Sequence, residues 1–325
     1  MKLNVAYSTD ENYAKHAWIS ICSLLENNKK FDEINIYIID NNITEKTKRN
    51  FFDLINGYGR NLIFLKFNDI VKGIDNACPW QNSLSAYGRL FLGNIKNIDK
   101  ILYLDCDTVI NGSLEELWSI NIEKYYLAGV QDTVGPRLRL VVGLKYNDRY
   151  INSGVILINL KKWRENNLEK KFIDFINKYN GDVPCADQGT INGVCKNKIL
   201  IIHPKYNTMT PMFSFSAKKS ERFFEIGNYY NDENIKEAVK NPIIIHYVGG
   251  FFIRPWFKNS DHPKKDIYVN YLSLSPWKNL VMDNGNLGLR TEIMKILYKT
   301  VPFSLFIGTH RVTRYFKNIF NKGAI

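Results

Sequence analysis

The feature that most constrains this chain is an alternation running from its first residues, in which short β-branched runs are followed by longer segments of helical period. LNVAY and INIYIID (34–40) have strand character. Residues 13–27 between them place Trp18, Ile21, Cys22 and Leu25 at helical spacing, with Asn27 and Asn28 as stop residues. A second unit repeats the pattern: a charged helix over 44–59, the strand NLIFLKF, a helix over 85–95 and the fully apolar strand KILYLD, which stops at Asp105. This order predicts an α/β fold with a mostly parallel sheet flanked by helices, because a parallel pair needs a crossover long enough to hold a helix. Further on, Ser113 and Glu116 fit a capping box opening SLEELW, YINSGVILINL reads as another buried strand and residues 160–179 as one charged helix. KILIIHP and NPIIIHYVGG read as the strands that close the sheet.

With 325 residues and 45% hydrophobic content the chain can bury a large core without disulfide support, which excludes disordered and collagenous classes. No repeat or linker marks a boundary before about residue 260, so residues 1–260 read as one domain and 261–325 as a tail. The five cysteines are odd in number and form no C-x-x-C pair, against both a disulfide framework and a zinc knuckle. The N-terminus lacks the apolar core of a secretory signal, and no run approaches the roughly 18 apolar residues of a membrane span. The expectation is a cytoplasmic protein. A net charge of +12 favours partners bearing phosphate, but no zinc-finger spacing, RNP-like string or basic heptad region is present, so nucleic acid is not among them.

The tail differs in composition. From residue 286 onward there are seven Lys or Arg against one acid, Glu292, so six of the twelve net charges lie in the last forty residues. Val312, Tyr315, Phe316, Ile319 and Phe320 recur at helical spacing while Arg311, Arg314, Lys317 and Lys322 take other positions. That pattern predicts a basic amphipathic helix, either docked on the main domain or lying on an anionic membrane surface.

The chemistry concentrates at two strand ends. Asp105-Cys106-Asp107 closes the apolar strand, and two carboxylates two residues apart can share a ligand only where the chain bends, as it does at strand ends. The end of a parallel strand is also where open α/β sheets bind ligands. Such a pair offers hard oxygens to a divalent cation and leaves positions for substrate phosphates. His246 ends another apolar strand, before Tyr-Val-Gly-Gly, and would complete a mixed oxygen and nitrogen set suited to manganese.

The ordered blocks AYSTDENYA, SLSAYGRLFL, ILYLDCDTVINGSLEELW, YINSGVILINLKKW, ADQGTINGV and HYVGG with RPW give the chain a specific likeness. Over about residues 1–260 it resembles glycosyltransferase family 8. These are the retaining GT-A enzymes, with a Rossmann-like sheet, that include bacterial lipooligosaccharide hexosyltransferases and, more distantly, glycogenin. The resemblance implies that Asp105 and Asp107, either side of Cys106, hold Mn2+ (Mg2+ is the alternative) together with His246 and bridge the diphosphate of a UDP-sugar. It implies that Tyr7, Ser8, Asp10 and Asn12 bind uridine, that Arg89 lies near the donor sugar and phosphate, and that Asn152, Asp187 and Gln188 surround the transferred sugar. The bland alternatives are that Asp10 caps a helix, Arg89 pairs with an acid and Asn152 satisfies backbone.

One departure from the family pattern concerns the diphosphate. The family reads H-x-x-G-x-x-K-P-W, whereas HYVGGFFIRPW is two residues longer after Gly249 and has Arg254 in place of lysine, which leaves Lys258 as an alternative clamp. The implied reaction moves glucose or galactose from UDP-glucose or UDP-galactose to a glycan acceptor, at the inner face of the cytoplasmic membrane if the tail is an anchor. Gln188, an amide, stands where a nucleophile would be wanted, which favours substitution from the face that UDP leaves. A protein or self acceptor and a catalytically silent UDP-binding member are the alternatives.

Overall fold

The strands of the computed structural model, which describes residues 1–80 and 83–309, run in chain order. They are β1 (Lys2–Thr9), β2 (Glu33–Asp40), β3 (Asn61–Lys66), β4 (Lys100–Leu104), β5 (Thr108–Ile110), β6 (Leu127–Gln131), β7 (Ile151–Asn159), β8 (Ile199–Ile201), β9 (Thr208–Met209) and β10 (Ile244–His246). Seven of them form one sheet in the order β3-β2-β1-β4-β7-β6-β8, and only β7 runs against its neighbours. The sheet is buried on both faces by alternation along each strand. Val5, Tyr7, Leu102 and Leu157 enter one core, while Ala6, Ile101, Tyr103 and Ile156 enter the other.

Helix α1 (Glu11–Asn27) follows β1, and the Asp10 carboxylate caps it by accepting from the Tyr13 amide at 3.2 Å. Helix α2 (Glu45–Gly57) is capped by Thr44 in the same way. The segment expected as a helix over 85–95 is a 3-10 helix, Ser85–Asn94. Gly88 there packs so closely on β1 that a Cβ would stand 2.6 Å from Ser8 Oγ. The charged helix over 160–179 is two helices, Leu160–Glu165 and Leu168–Lys178, broken where Asn167 adopts φ +49°. Asparagine tolerates that left-handed conformation better than most residues.

Two further expectations are corrected. Ser113 and Glu116 form no capping box: Leu114 occupies the cap position, Ser113 Oγ accepts from the Glu115 amide, and Glu116 is held by Lys205 and Tyr206. NPIIIH does not close the main sheet. The chain bends after β4, so β5 leaves the sheet, and β10 pairs antiparallel with β5 and parallel with β9 in a separate three-stranded sheet.

Beyond residue 260, the helix Lys265–Ser273 sends Tyr268 and Leu272 into the same core as α1, and the Tyr268 hydroxyl lies 2.7 Å from His16 Nδ1. The helix Leu289–Thr300 and residues 303–309 instead build a smaller aromatic cluster, where Met294 and Phe306 pack against Phe215 and Phe223. The amphipathic segment with Val312, Tyr315, Phe316, Ile319 and Phe320 lies outside the described residues. No helix among the described residues is long and apolar enough to cross a membrane.

Candidate active site

The antiparallel strand builds the site. Because β7 opposes β4, its first residues stand beside the last residues of β4, and the Asp105 amide donates to the Gly154 carbonyl at 2.7 Å. The small sheet delivers His246 to the same point through its pairing with Thr108. Gly154 makes the approach possible, since a Cβ there would collide with both His246 Cε1 and Asp105 Oδ2. The result is a cleft of about 480 Å3 at the ends of β1, β4 and β6.

Asp105, Asp107 and His246 each offer a ligand atom, all within 4.8 Å of one another. His246 Nε2 lies 3.1 Å from Asp107 Oδ1 and 3.7 Å from Asp105 Oδ2. Burial opposes ionisation of both groups, but the attraction between them prevails. The Asp107 carboxyl is held down at about 2, and the His246 imidazole is raised above its ordinary value.

Arg89 braces the floor. Its Nη2 donates to Asp105 Oδ1 at 2.8 Å, its Nη1 to the Ser153 carbonyl at 2.7 Å, and its Nε lies 3.0 Å from Asp187 Oδ2, with the guanidinium stacked 4.4 Å from the Tyr103 ring. Burial disfavours its charge, yet the two carboxylates more than compensate, so Arg89 stays a cation. Asp187 recovers less from the pair than it loses in water: burial dominates and, with Asp105 nearby, pushes it up to about 6 although Arg89 pulls the other way.

A chain of amides forms the opposite wall. Asn152 Nδ2 donates to Asp132 Oδ2 and to Gln188 Oε1, both at 3.1 Å, and Gln188 Nε2 donates to Asp132 Oδ2 at 3.1 Å. Asn207, fully buried, links Asn152 to His246.

Of the residues singled out in sequence, Ser8, Asp10, Asn12, Arg89, Asp105, Cys106, Asp107, Asn152, Asp187, Gln188, His246, Gly249 and Arg254 line this cleft. Tyr7 and Lys258 do not line it. The Tyr7 ring is wholly buried in the core with its hydroxyl 3.1 Å from Ser20 Oγ, and Lys258 is exposed. Asp10 both caps α1 and accepts from Ser83 Oγ at 2.7 Å, so its structural role and its place in the cleft coexist. The Cys106 thiol turns away, donating to the Ser8 carbonyl at 3.4 Å. Arg254 reaches the cleft with Nε donating to the Tyr247 carbonyl at 3.2 Å.

Asp132 and Asn207 escaped the sequence reading. Asp132 closes LAGVQ as Asp105 closes ILYL, but Gly129 and Gln131 weaken that run; Asn207 has no local signal.

Residues 4–260 match the family model described as glycosyl transferase family 8. The chain belongs to that family. A putative glycosyltransferase of Haemophilus influenzae is 36% identical over 271 residues, 80% of this chain and 74% of that one. A lipopolysaccharide 1,2-glucosyltransferase of Escherichia coli is 28% identical, over 85% of this chain and 80% of that one. Among solved structures, the galactosyltransferase LgtC with donor and acceptor sugar analogues superposes with a TM-score of 0.69 at 21% identity, covering 86% of this chain and all of that one. This last likeness speaks for the GT-A fold. Family 8 enzymes generally work on a UDP-sugar with a divalent cation, and in this chain Asp105, Asp107 and His246 are the candidate cation group.

Proposed function

We propose that this glycosyltransferase transfers glucose or galactose, with retention, from UDP-glucose or UDP-galactose to a lipid-borne glycan. The observation that carries the proposal is the convergence of Asp105, Asp107 and His246 on one floor of the cleft, with Arg89 bracing Asp105 and the amides of Asn152 and Gln188 facing them. The donor set fits a divalent cation on its chemistry: two carboxylates and an imidazole, with Gly154 leaving the space that any side chain would fill. Mn2+ suits this mixed set, with Mg2+ as the alternative. Bound there, such a cation would act as a Lewis acid toward the charge developing on departing UDP.

The chain's own residues supply the rest. Ser8, Asp10 and Asn12, where β1 passes into α1, are assigned to uridine and Arg254, with Gly249, to the diphosphate, its planar fork matching phosphate oxygens. Asp187, Asn152 and Gln188 orient the sugar hydroxyls. Substitution from the face that UDP leaves is favoured, because the carboxylate bonded to Gln188, Asp132, has its Oδ2 occupied by two amide donors, and Asp187 Oδ2 is held by Arg89 and Ser153, so both are weakened nucleophiles.

A second hollow of about 350 Å3 shares Asp132, Asn152, Val248 and Gly249 with the cleft and is walled by Phe215, Phe223 and Phe251. Aromatic faces suit the apolar side of a sugar ring, and we assign this hollow to the acceptor. Thr291, on the helix Leu289–Thr300, also lines it. The far side of that helix exposes Leu289, Ile293 and Ile296, with Arg290 and Lys299 beside them. An apolar stripe flanked by Arg290 and Lys299, with one exposed acid, Glu292, also beside it, fits an anionic membrane surface, which favours peripheral association at the inner face of the cytoplasmic membrane and a lipid-borne acceptor.

The test is UDP release from UDP-glucose and UDP-galactose, with Mn2+ and with EDTA. Manganese-dependent release from one donor is expected, and no release from either, with or without a lipid-borne glycan, would count against the proposal.

A further inference from the structure

The hydrogen bonds behind His246 leave no freedom in how its imidazole is presented. The Gly154 backbone N–H donates to Asn152 at 3.0 Å, and a backbone N–H can only donate, so the atom it meets is the amide oxygen. The Asn152 nitrogen must then face Asp132 Oδ2 and Gln188 Oε1, as it does. The Ser153 N–H, donating to Gln188 Oε1 at 3.1 Å, fixes that second amide independently and agrees. Because Asn152 presents its oxygen, Asn207 must turn Nδ2 toward it, at 2.9 Å, and therefore turns Oδ1 toward His246 Nδ1, at 3.0 Å. An amide oxygen only accepts, so Nδ1 carries a proton whatever the charge of the ring, and Nε2 is the nitrogen turned toward Asp105 and Asp107, the one that can give up its proton and offer a lone pair to a cation.

Resting on the cation site proposed above, we infer that Asn207 is a positioning residue that fixes the His246 imidazole with Nε2 toward the cation and ties that orientation, through Asn152, to the amides at the sugar end of the cleft. Both polar atoms of the Asn207 side chain go to site residues, although the residue is fully buried and lies outside the cleft lining. An asparagine whose only task was to satisfy local backbone would be bonded to backbone. The partner of a ligating histidine's second nitrogen sets its ring orientation and basicity, and its loss weakens metal affinity about 10–100-fold.

The test uses the full chain and Mn2+ alone, read by the loss of the free-ion electron paramagnetic resonance signal, with no sugar nucleotide present. Asn207→Asp keeps an acceptor oxygen on Nδ1 and adds negative charge, so it should bind Mn2+ at least as tightly as wild type. It should also lose turnover, because its link to the Asn152 oxygen becomes a repulsion. Asn207→Leu, similar in size, should lose about 10–100-fold in Mn2+ affinity. A purely structural role would instead make affinity follow stability in both variants. Wild-type affinity in a folded Asn207→Leu, or weakened binding in Asn207→Asp, overturns the inference. Each variant is decisive alone if the other does not fold. Failure of the wild type to bind Mn2+ removes the cation site itself, and the inference with it, whereas Mn2+ binding indifferent to Asn207 removes only the inference.

Discussion

The floor of the cleft and the aromatic cluster at the C-terminal side are built by opposite means. On the floor, charged groups are held in fixed directions: Arg89 binds Asp105 and Asp187 while His246 faces Asp105 and Asp107, with Arg89 and His246 almost entirely buried. In the cluster, Phe215, Phe223, Phe224, Phe251 and Phe306 meet through ring contacts, from 12° stacked to nearly perpendicular. Desolvated charges tolerate little displacement, because an unpartnered charge at low dielectric is costly, whereas apolar rings can repack. That contrast matches the division of labour proposed here: an invariant donor, UDP-sugar, on the floor, and an acceptor of less fixed shape against the rings.

Breaking the floor should cost most. Asp107→Ala removes one of the three candidate ligands, and if the cation supplies several kcal/mol of charge stabilisation, turnover should fall about a thousandfold or more while circular dichroism stays native. Arg89→Leu leaves Asp105 and Asp187 facing each other without their shared cation. Unfolding by urea should register a loss of about 3–5 kcal/mol, as for other broken buried ion pairs.

A smaller effect follows from titration. Asp107, depressed to about 2 from 3.8, contributes stability that is present above pH 3.8 and lost as pH falls through 2. His246, raised from 6.5, contributes stability that is present below pH 6.5 and lost as pH rises through its higher folded value. The pair therefore stabilises the cation-free protein fully between about pH 4 and 6.5. A metal ligated by Nε2 must displace the imidazole proton, so the rise in melting temperature on adding Mn2+ should be larger at pH 8 than at pH 6.

The mildest test addresses the other region. Ile293→Ser and Ile296→Ser on the exposed stripe should lower co-sedimentation with anionic vesicles while leaving UDP release without acceptor unchanged. Equal sedimentation by the double variant would detach the stripe from the membrane.

The two regions also differed in how far the sequence disclosed them. ILYL closed by Asp105, and IIIH closed by His246, are long enough apolar runs for a strand end to be visible, and the family likeness joined them into one site. The second sheet is hidden in the sequence because β5, β9 and β10 are two or three residues long, too short to show a period, so NPIIIH reads as a strand of the main sheet. β6 is faint in the sequence because Gly129 interrupts it. A Cβ there would stand 2.7 Å from Ile151, so close packing against β7 explains the glycine, and the faintness of β6 conceals Asp132. The break at Asn167 and the role of Asn207 depend on tertiary packing that no local pattern encodes.

The central claim is that the floor is a preassembled, cation-dependent site for a uridine diphosphate. Isothermal titration of UDP into the full chain, in Mn2+ and then in EDTA, tests it most directly. Tight binding in Mn2+ that is largely lost in EDTA and in Asp107→Ala is the expected result. Equal binding under both conditions, or none in either, would contradict it.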